Sequence, residues 1–159
     1  MNIKIESIGV IHSPFTTIEN MPIQSVGAQD AEGTVVLEER YAEGLKDIEG
    51  FNYIYLIYYF HKASRGALHV TPFMDTEKRG VFATRSPLRP SHIGFSIVEL
   101  IGVKENVLRI RGCDILDDTP LLDIKPYIPR FDIRNDAKTG WMKAMDKDIK
   151  GMRSDDRFV

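Results

Sequence analysis

Residues 51–60 form the most apolar run of the chain, Phe-Asn-Tyr-Ile-Tyr-Leu-Ile-Tyr-Tyr-Phe, and this run limits what the protein can fold into. Its aromatic and β-branched side chains predict a strand rather than a helix. A run without regular polar alternation is typical of a strand that is covered on both faces. Its rings could stack on nucleic-acid bases, but packing in a core is the more common role of such a run. We therefore predict a central strand with both faces covered.

Shorter apolar stretches show the two-residue alternation of half-buried strands, whereas helical patterns are few. Residues 94–103 and 106–113 predict a hairpin that turns at Lys104 and Glu105. The chain has no repeating strand–helix–strand pattern and no Gly-x-Gly-x-x-Gly after a first strand, which argues against a dinucleotide-binding fold. Closing a sheet removes its unpaired edges, so we predict a mainly β protein, a single-sheeted closed β-barrel with a few short helices. The other predicted elements are strands at 3–12, 33–38, 81–83 and 121–124 and a short helix or turn at 41–50.

The end of the chain has a different pattern. Apolar residues recur there at spacings of four, four and three: Trp141, Met145, Ile149 and Met152. This spacing predicts a C-terminal amphipathic helix that covers the barrel or a partner subunit. A contact between the lysines of this helix and RNA is the less common alternative. We therefore divide the chain into a β-barrel domain, residues 1–135, and a C-terminal helical tail, residues 136–159.

The overall charge excludes one class of nucleic-acid binder. The 159 residues fit a single domain, and a net charge of −2 does not suit a protein that coats nucleic acid through its global charge. The charge is unevenly distributed, because residues 61–92 contain six Lys or Arg residues against Asp75 and Glu77, a local balance of +4. A basic segment on an acidic body can still bind a phosphate-bearing partner.

Cys113 is the sole cysteine, so an intramolecular disulfide is impossible and a reducing compartment fits. The sequence contains no Cys-x-x-Cys or His-Glu-x-x-His pattern, and its four histidines are scattered, so we expect no metal site. The N-terminus lacks the basic start and apolar core of a signal peptide, and no apolar run approaches the length of a membrane span. We expect a cytoplasmic protein that has no membrane partner.

The predicted loop after residue 83 carries two arginines and two prolines. Proline fixes φ and lacks a backbone donor, so Pro87 and Pro90 make this loop stiff, neither helix nor ladder strand. Arg85, Ser86 and Arg89 on a stiff loop suit a ligand that carries a carboxylate or another anion. A surface turn with solvated arginines is an equally good interpretation of the residue types alone.

Three further groups are candidate ligand contacts. The predicted loop of residues 16–32 can wrap a ligand, although most loops of this kind are connectors. His61 and Lys62 follow the end of the predicted central strand, a common place for ligand contacts. Asp123 and Lys125 alternate with apolar residues and should point to one side, which is either a pocket or solvent.

Three motifs, in order along the chain, resemble those of one known family. They are Ile8-Gly9-Val10-Ile11-His12-Ser13-Pro14-Phe15, then Gly80-Val81-Phe82-Ala83-Thr84-Arg85-Ser86-x-x-Arg89-Pro90 with Ile93-Gly94-x-Ser96, and finally Asp123-Ile124-Lys125-Pro126-Tyr127-Ile128-Pro129. Over residues 3–130 they are similar to the signature of the TsaA-like family of S-adenosylmethionine-dependent tRNA methyltransferases, also called TrmO. The resemblance implies a single-sheeted β-barrel that works as a homodimer, with S-adenosyl-L-methionine near the subunit interface. It also implies methylation of the N6 nitrogen of threonylcarbamoyladenosine beside the tRNA anticodon.

The resemblance further implies a cofactor pocket and two candidate catalytic residues. An aspartate suits the ribose hydroxyls or the amino group of the cofactor, and an arginine suits its methionine carboxylate or a tRNA phosphate. In-line methyl transfer depends mainly on positioning, and if a base takes part it is Asp123 or Tyr127. The implied cofactor contacts are Gln24, Ser25, Val26, Gly27, His61, Lys62, Arg85, Ser86, Arg89, Leu100 through its backbone, Asp123, Ile124, Lys125 and Pro126.

Two residues depart from the family pattern. Ser91 follows Arg-Pro where the family usually has Asn, and Asp118 stands where it usually has Gly. An aspartate at this turn must either tolerate a positive φ or change the turn. These departures leave open a methyltransferase for another RNA or a small molecule, and a barrel that senses the cofactor without catalysis. An RNA-binding barrel without chemistry fits less well, because the chain is acidic and its aromatic residues are concentrated in the predicted central strand.

Overall fold

The computed structural model of the protein describes residues 1–19, 21–23, 27–73, 75–144 and 152–155. Short helices lie between and after the strands. The 3-10 helices are Glu39–Leu45, Ile48–Gly50, Val81–Ala83 and Gly140–Ala144, and the α-helix α1 is Pro129–Asp132. The strands are β1 (Gly9–His12), β2 (Glu32–Leu37), β3 (Tyr53–Tyr59), β4 (His69–Val70), β5 (Arg79–Gly80), β6 (Ile93–Lys104), β7 (Val107–Arg111) and β8 (Thr119–Pro126).

Six of these strands close into one barrel in the order β1-β2-β7-β6-β3-β8, and β4 pairs with β5 in a separate small sheet. Every neighbouring pair in the barrel is antiparallel, and the closing contact pairs β1 with β8 through Gly9↔Leu121 and Ile11↔Thr119. The prediction of a mainly β protein with one closed barrel is confirmed. Among the described residues, no helix is both long and apolar enough to cross a membrane.

Alternate residues of each strand fill the barrel. On β3 the inward residues Ile54 and Leu56 are fully buried, and on β7 the inward residues Leu108 and Ile110 are fully buried as well. Each such side chain contributes about 1.5–3 kcal/mol through removal of its apolar surface from water. The predicted hairpin is confirmed: β6 and β7 meet at a turn in which Glu105 has a φ of 57°.

The prediction of a strand over residues 51–60 is confirmed as β3, but the prediction that both faces are covered is wrong for a single chain. The outward residues of β3 alternate with the buried ones, and Tyr53 and Tyr59 retain 41% and 38% of their surface. In this closed barrel the inward side chains form the core, so the outward rings lie on its outer surface.

Three other elements differ from the sequence prediction. The strand predicted for residues 3–12 is shorter, since β1 begins only at Gly9. Gly9 packs closely on β2, because a Cβ there would collide with Val36 O and with Leu37 Cα at 2.9 Å. Residues 81–83 form a 3-10 turn instead of a strand, since Thr84 Oγ1 and Thr84 N–H both donate to Val81 O, at 2.8 and 3.1 Å. The helix or turn predicted for 41–50 is present as two 3-10 helices.

Residues 61–92 form an arm that connects β3 to β6. A small core of Val70, Val81 and Leu88 lies inside the arm, separate from the barrel core. Trp141 from the tail packs on the arm: its indole N–H donates to Ala83 O at 2.7 Å. Of the predicted tail helix, residues 140–144 form a 3-10 turn, while residues 145–151 lie outside the described part of the chain.

Candidate functional site

The candidate site lies around one end of the barrel, which we call the upper end. It is the end where β3 and β7 finish and where β6 and β8 begin, and the arm leaves the barrel there. The connections at a barrel end are free of the ladder, so they can present side chains to a ligand.

The loop that carries the predicted arginines, residues 84–92, is fixed by its own hydrogen bonds. Ser86 is 5% exposed, and its Oγ accepts the Leu88 N–H at 3.2 Å. Arg89 Nη1 donates to Thr84 O at 3.2 Å, and His92 Nδ1 donates to Pro87 O at 2.9 Å. The predicted stiffness of this loop therefore has a direct structural cause.

Arg85 projects from this loop onto the outside of the barrel. Arg85 is exposed, and its guanidinium carbon lies 4.9 Å from the centre of the Phe95 ring, in the range of a cation–π contact. Phe95 is an outward residue of β6 that is 44% exposed. A guanidinium that rests on a ring keeps its planar donor fork in a defined orientation.

Three polar side chains, Tyr58, Ser96 and Asp114, form a hydrogen-bonded chain inside the upper end. Ser96 Oγ donates to Asp114 Oδ1 at 2.6 Å. Because this bond uses the one hydrogen of the Ser96 hydroxyl, the Tyr58 hydroxyl donates to Ser96 Oγ at 3.1 Å. Burial raises the pKa of the Asp114 carboxyl to about 6, against the opposing effects of the Ser96 hydrogen bond and the charge of Arg85. Burial also raises the pKa of Tyr58.

The sequence patterns indicated no role for this polar chain, although Ser96 is part of the second family motif. Ser96 stands at an inward position of β6 between Gly94 and Val98, where two-residue alternation predicts an apolar side chain. That mismatch is the signal that could have identified Ser96. Asp114 follows the end of β7, and no periodicity applies there.

His61 and Lys62 lie at the same end, directly after β3. His61 Nδ1 is 3.4 Å from Thr119 Oγ1, which in turn donates to Leu116 O at 2.6 Å. Burial and, to a smaller degree, the charge of Lys62 lower the pKa of His61, so the imidazole is neutral at neutral pH. Lys62 is exposed.

The predicted residues of β8 lie on the outer wall of the barrel. Lys125 Nζ and Asp123 Oδ2 are 2.8 Å apart, and Asp123 Oδ1 accepts the Ile124 N–H at 2.9 Å. The expectation that Asp123 and Lys125 share a side is confirmed. Ile124 is partly buried against the core, whereas Pro126 is exposed.

Aromatic rings connect these two parts of the candidate site. Tyr127 contacts Tyr53 and Tyr55, with ring centres 6.4 and 5.7 Å apart, and Tyr55 contacts Phe95 at 6.3 Å. We call these four outward side chains the aromatic wall. It runs from Tyr127, beside the β8 residues, to Phe95, on which Arg85 rests.

Within the described part of a single chain, the predicted residues do not all lie in one pocket. His61 and Arg85 belong to the upper end, whereas Lys125 pairs with Tyr55 and the Leu100 N–H donates to Asn52 O, further down β3. Position 59 is the end of β3 at the upper end, and position 54 lies beside the partner of Lys125. The five residues of strand between them correspond to about 17 Å. Leu100 itself is 9% exposed and points into the core.

Four of the predicted cofactor contacts, residues 24–27, belong to the loop after β1. Gln24, Ser25 and Val26 lie outside the described residues. Gly27 lines a cleft of about 380 Å³ together with Phe15, Pro22 and Arg153. Among the described residues, Gly27 is the only predicted cofactor contact that lines this cleft.

A histidine and two carboxylates lie near the upper end. His12 Nδ1 is 3.2 Å from Asp117 and 3.3 Å from Asp118. A hydrogen bond from the Ser13 N–H lowers the pKa of Asp117. Asp118 has a φ of 59°, so this aspartate tolerates the left-handed conformation that the glycine of the family pattern would adopt. The absence of a metal site stays a prediction.

Comparison with known proteins relates this geometry to characterised relatives. A probable S-adenosyl-L-methionine-binding protein of Pyrococcus abyssi is 53% identical over 151 residues, which cover 95% of this chain and 82% of that protein. The tRNA (adenine(37)-N6)-methyltransferase of Escherichia coli is 35% identical over 89% of this chain and 64% of that enzyme. A crystal structure of TrmO from Pseudomonas aeruginosa matches with a TM-score of 0.76 at 37% identity, over 89% of this chain and 63% of that one.

The chain thus spans less than two thirds of the Escherichia coli and Pseudomonas aeruginosa proteins. The match of the family model covers residues 10–133, from β1 to the end of α1. This range contains the barrel except for Gly9, the arm and every described candidate residue. The chain therefore belongs to the family of the tRNA-methyltransferase O N-terminal domain.

Proposed function

We propose that this chain is an S-adenosyl-L-methionine-dependent tRNA methyltransferase that methylates the N6 nitrogen of threonylcarbamoyladenosine beside the anticodon. Family membership and the named activity of the Escherichia coli relative support the tRNA methyltransferase activity. The observation that carries the cofactor assignment is the oriented guanidinium of Arg85 at the edge of the aromatic wall. A ligand that has both an amino-acid carboxylate and an adenine ring matches these two features.

The donor set fits such a cofactor. Arg85 and Arg89 are the proposed partners of its carboxylate, and Asp123 is the proposed acceptor for its ribose hydroxyls or amino group. Each is held by the chain: Arg85 by Phe95, Arg89 by Thr84 and Asp123 by Lys125. The bound cofactor supplies an electrophilic methyl group on sulfur.

The chain's own contribution to catalysis is mainly positioning. In-line transfer requires the target nitrogen to be aligned with the methyl group, and rigid elements achieve this at low entropic cost. Asp123 and Tyr127 are the proposed acceptors for the proton that the nitrogen releases. Both lie along β8 and its extension beside the aromatic wall, where Tyr127 is fixed by Tyr53 and Tyr55.

The proposed functional unit is a homodimer with the cofactor near the interface. The aromatic wall supports this assignment, because Tyr53 and Phe95 expose 41% and 44% of their surface in a single chain. A second copy on this wall would also bring the β8 residues of one chain closer to the upper end of the other. Tyr55→Glu should then give a monomer in sedimentation velocity, while Tyr41→Glu, in the Glu39–Leu45 helix, should leave the dimer intact.

A tRNA substrate also fits a cytoplasmic protein, which we include in the proposal. Because Ser91 and Asp118 depart from the family pattern, another RNA or a small molecule is a second candidate substrate class. The Asp118 carboxylate adds to that of Asp117 at the upper end and would repel a phosphate placed there.

Calorimetric titration with S-adenosyl-L-methionine and S-adenosylhomocysteine tests the cofactor assignment first. Methylation is then assayed by mass spectrometry on tRNA that carries threonylcarbamoyladenosine and on matched tRNA that lacks it. Methyl transfer to the modified tRNA alone is expected. Equal transfer to both tRNAs would contradict the proposed substrate, cofactor binding without transfer would identify a sensor, and no binding even with tRNA present would refute the cofactor assignment.

A further inference from the structure

We infer that residues 152–155, which we call the 152–155 segment, position the loop after β1 for ligand binding, with Ser154 as the positioning residue. The inference rests on the proposed function, because this loop carries the predicted cofactor contact Gly27. Ser154 itself is not proposed to touch the cofactor. The 152–155 segment lies outside residues 10–133, which match the family model.

Ser154 contacts the loop through both its backbone and its hydroxyl. Its N–H donates to Met21 O at 2.8 Å, and its Oγ accepts the Met21 N–H at 2.9 Å. The hydroxyl hydrogen is donated to Ile18 O. Beside these contacts, Pro22 and Arg153 form an antiparallel bridge. The 152–155 segment is therefore attached to the loop at several adjacent points.

The loop forms the cleft that contains Gly27, and two walls of this cleft are tied to the barrel. Phe15 O accepts the Asp117 N–H at 2.7 Å. Ala31 O accepts the Gly112 and Cys113 N–H groups at 3.0 and 3.1 Å. Both attachments lie at the upper end, where β7 finishes and β8 begins.

The third wall, Pro22, is held by the 152–155 segment. In the described residues 16–19 and 21–23, every hydrogen bond to another part of the chain goes to Ser154. Arg153 lines the same cleft. The connection between β1 and β2 spans residues 13–31, and a loop of this length keeps one conformation only where its contacts offset the lost chain entropy. The position of the Pro22 wall therefore depends on Ser154.

An ordered wall strengthens ligand binding. The apparent affinity of a ligand falls in proportion to the fraction of molecules whose site is in the competent conformation. Loss of the Ser154 contacts frees residues 18–22 to sample other conformations, so a ligand in this cleft must order them again. The 152–155 segment thus contributes to affinity without a contact to the ligand.

Calorimetric titration with S-adenosyl-L-methionine tests the inference. Ser154→Ala removes both hydrogen bonds of the hydroxyl and should weaken binding about tenfold, as expected for the loss of two such bonds. Ser154→Thr retains a hydroxyl and should bind like the wild type. Thr17→Ala is the matched control, because Thr17 Oγ1 donates to Glu19 O at 3.5 Å within the loop, and it should also bind like the wild type.

Unchanged affinity in Ser154→Ala would overturn the inference. An equal loss in Thr17→Ala would also overturn it, because any change in the loop would then have the same effect. An equal loss in Ser154→Thr would remove the hydroxyl as the cause and count against the inference.

Hydrogen exchange, followed by NMR without a ligand, measures the order of the wall directly. In Ser154→Ala the Met21 amide should exchange about tenfold faster than in the wild type, because its acceptor is gone. The Gly112 amide, which donates to Ala31 O in a different wall, should be unaffected. Equal acceleration of both amides would overturn the inference, since Ser154 would then stabilise the whole fold.

The two measurements separate this inference from the proposed function. Faster exchange at Met21 with unchanged affinity would overturn the inference and leave the cofactor assignment intact. If the wild type binds neither S-adenosyl-L-methionine nor S-adenosylhomocysteine, the proposed function fails, and the exchange comparison alone decides whether Ser154 holds the wall of the cleft.

Discussion

The two faces of β3 are made of similar residues but have different environments. Inward, Ile54 and Leu56 are 0% exposed; outward, Tyr53 and Tyr59 keep 41% and 38% of their surface. The inward side chains are enclosed by the other five strands, whereas on the outer surface the Tyr53 ring contacts Tyr127 and the Tyr59 ring contacts His92. The difference shows that composition does not separate the residues that build the barrel from those available for recognition.

The same contrast continues on β6. Its inward residues include Ser96, which links the barrel interior to Asp114, and its outward residues include Phe95, on which Arg85 rests. At the upper end, adjacent residues of β6 thus serve the barrel interior and the outer face. Substitutions on the inner face should lower stability, whereas substitutions on the outer face should weaken ligand binding.

The largest expected effect is loss of stability from the inner face. Leu56→Ala should lower the free energy of unfolding by about 2–5 kcal/mol, because it removes a fully buried side chain and leaves a cavity. Ile57→Ala, the next residue and outward, should cost about 1 kcal/mol. Urea denaturation at a protein concentration where the chain is monomeric measures both, and equal losses would contradict the division into two faces.

The next effect is a pH dependence from Asp114. Its folded-state pKa of about 6 lies above the ordinary value of 3.8, so the folded protein binds a proton more readily in that interval. The cost of burying the carboxylate is present above about pH 6 and disappears as the pH falls. At 1.36 kcal/mol per pKa unit, the wild type should gain up to about 3 kcal/mol relative to Asp114→Asn between about pH 7 and pH 4.

Asp117→Asn is the control with the opposite sign. The pKa of Asp117 is lowered by the Ser13 N–H, so its contribution to stability is present above the unfolded pKa and is lost as the pH falls through the folded pKa. Denaturation curves across this pH range should therefore converge for wild type and Asp117→Asn in acid. Parallel pH profiles for wild type and Asp114→Asn would refute the assignment of the raised pKa.

A smaller loss is expected from crowding the polar chain. Gly94→Ala places a Cβ 2.5 Å from the Tyr58 ring and 2.7 Å from that of Phe60, so the rings must shift. The expected cost is about 1–3 kcal/mol of unfolding free energy. Gly102→Ala on the same strand meets nothing within 4 Å and should be nearly neutral. Thermal melting compares the two variants, and a neutral Gly94→Ala would mean that Tyr58 is not confined there.

The smallest effect on stability, but a clear one on binding, is expected at the outer face. Arg85→Gln should weaken S-adenosyl-L-methionine binding about tenfold while changing stability by less than about 0.5 kcal/mol. Arg40→Gln is the matched control, because Arg40 also rests on a ring, that of Tyr41 at 4.8 Å, in a different element. Calorimetry that finds the same affinity for both variants would remove Arg85 from the site.

Local pattern was sufficient for much of the barrel. Two-residue alternation located β6 and β7 and the turn between them, and the prolines located the stiff loop with Arg85 and Arg89. Ordered motifs indicated the family that the comparison then established. These features depend on neighbouring residues in the chain, which is why the sequence alone reveals them.

The tertiary structure decided what depends on distant pairing. The apolar run of β3 predicted a strand with both faces covered, and only closure of the barrel, with β1 pairing β8, leaves the aromatic wall outside. Residues 81–83 looked like a strand, but the small core of the arm and the Thr84 hydrogen bonds turn them into a 3-10 helix. Asp114 gained its contact with Ser96 because the end of β7 lies beside the start of β6, 18 residues away. Sequence patterns record the burial of neighbours, whereas contacts between separate strands arise only when the register of the sheet is set.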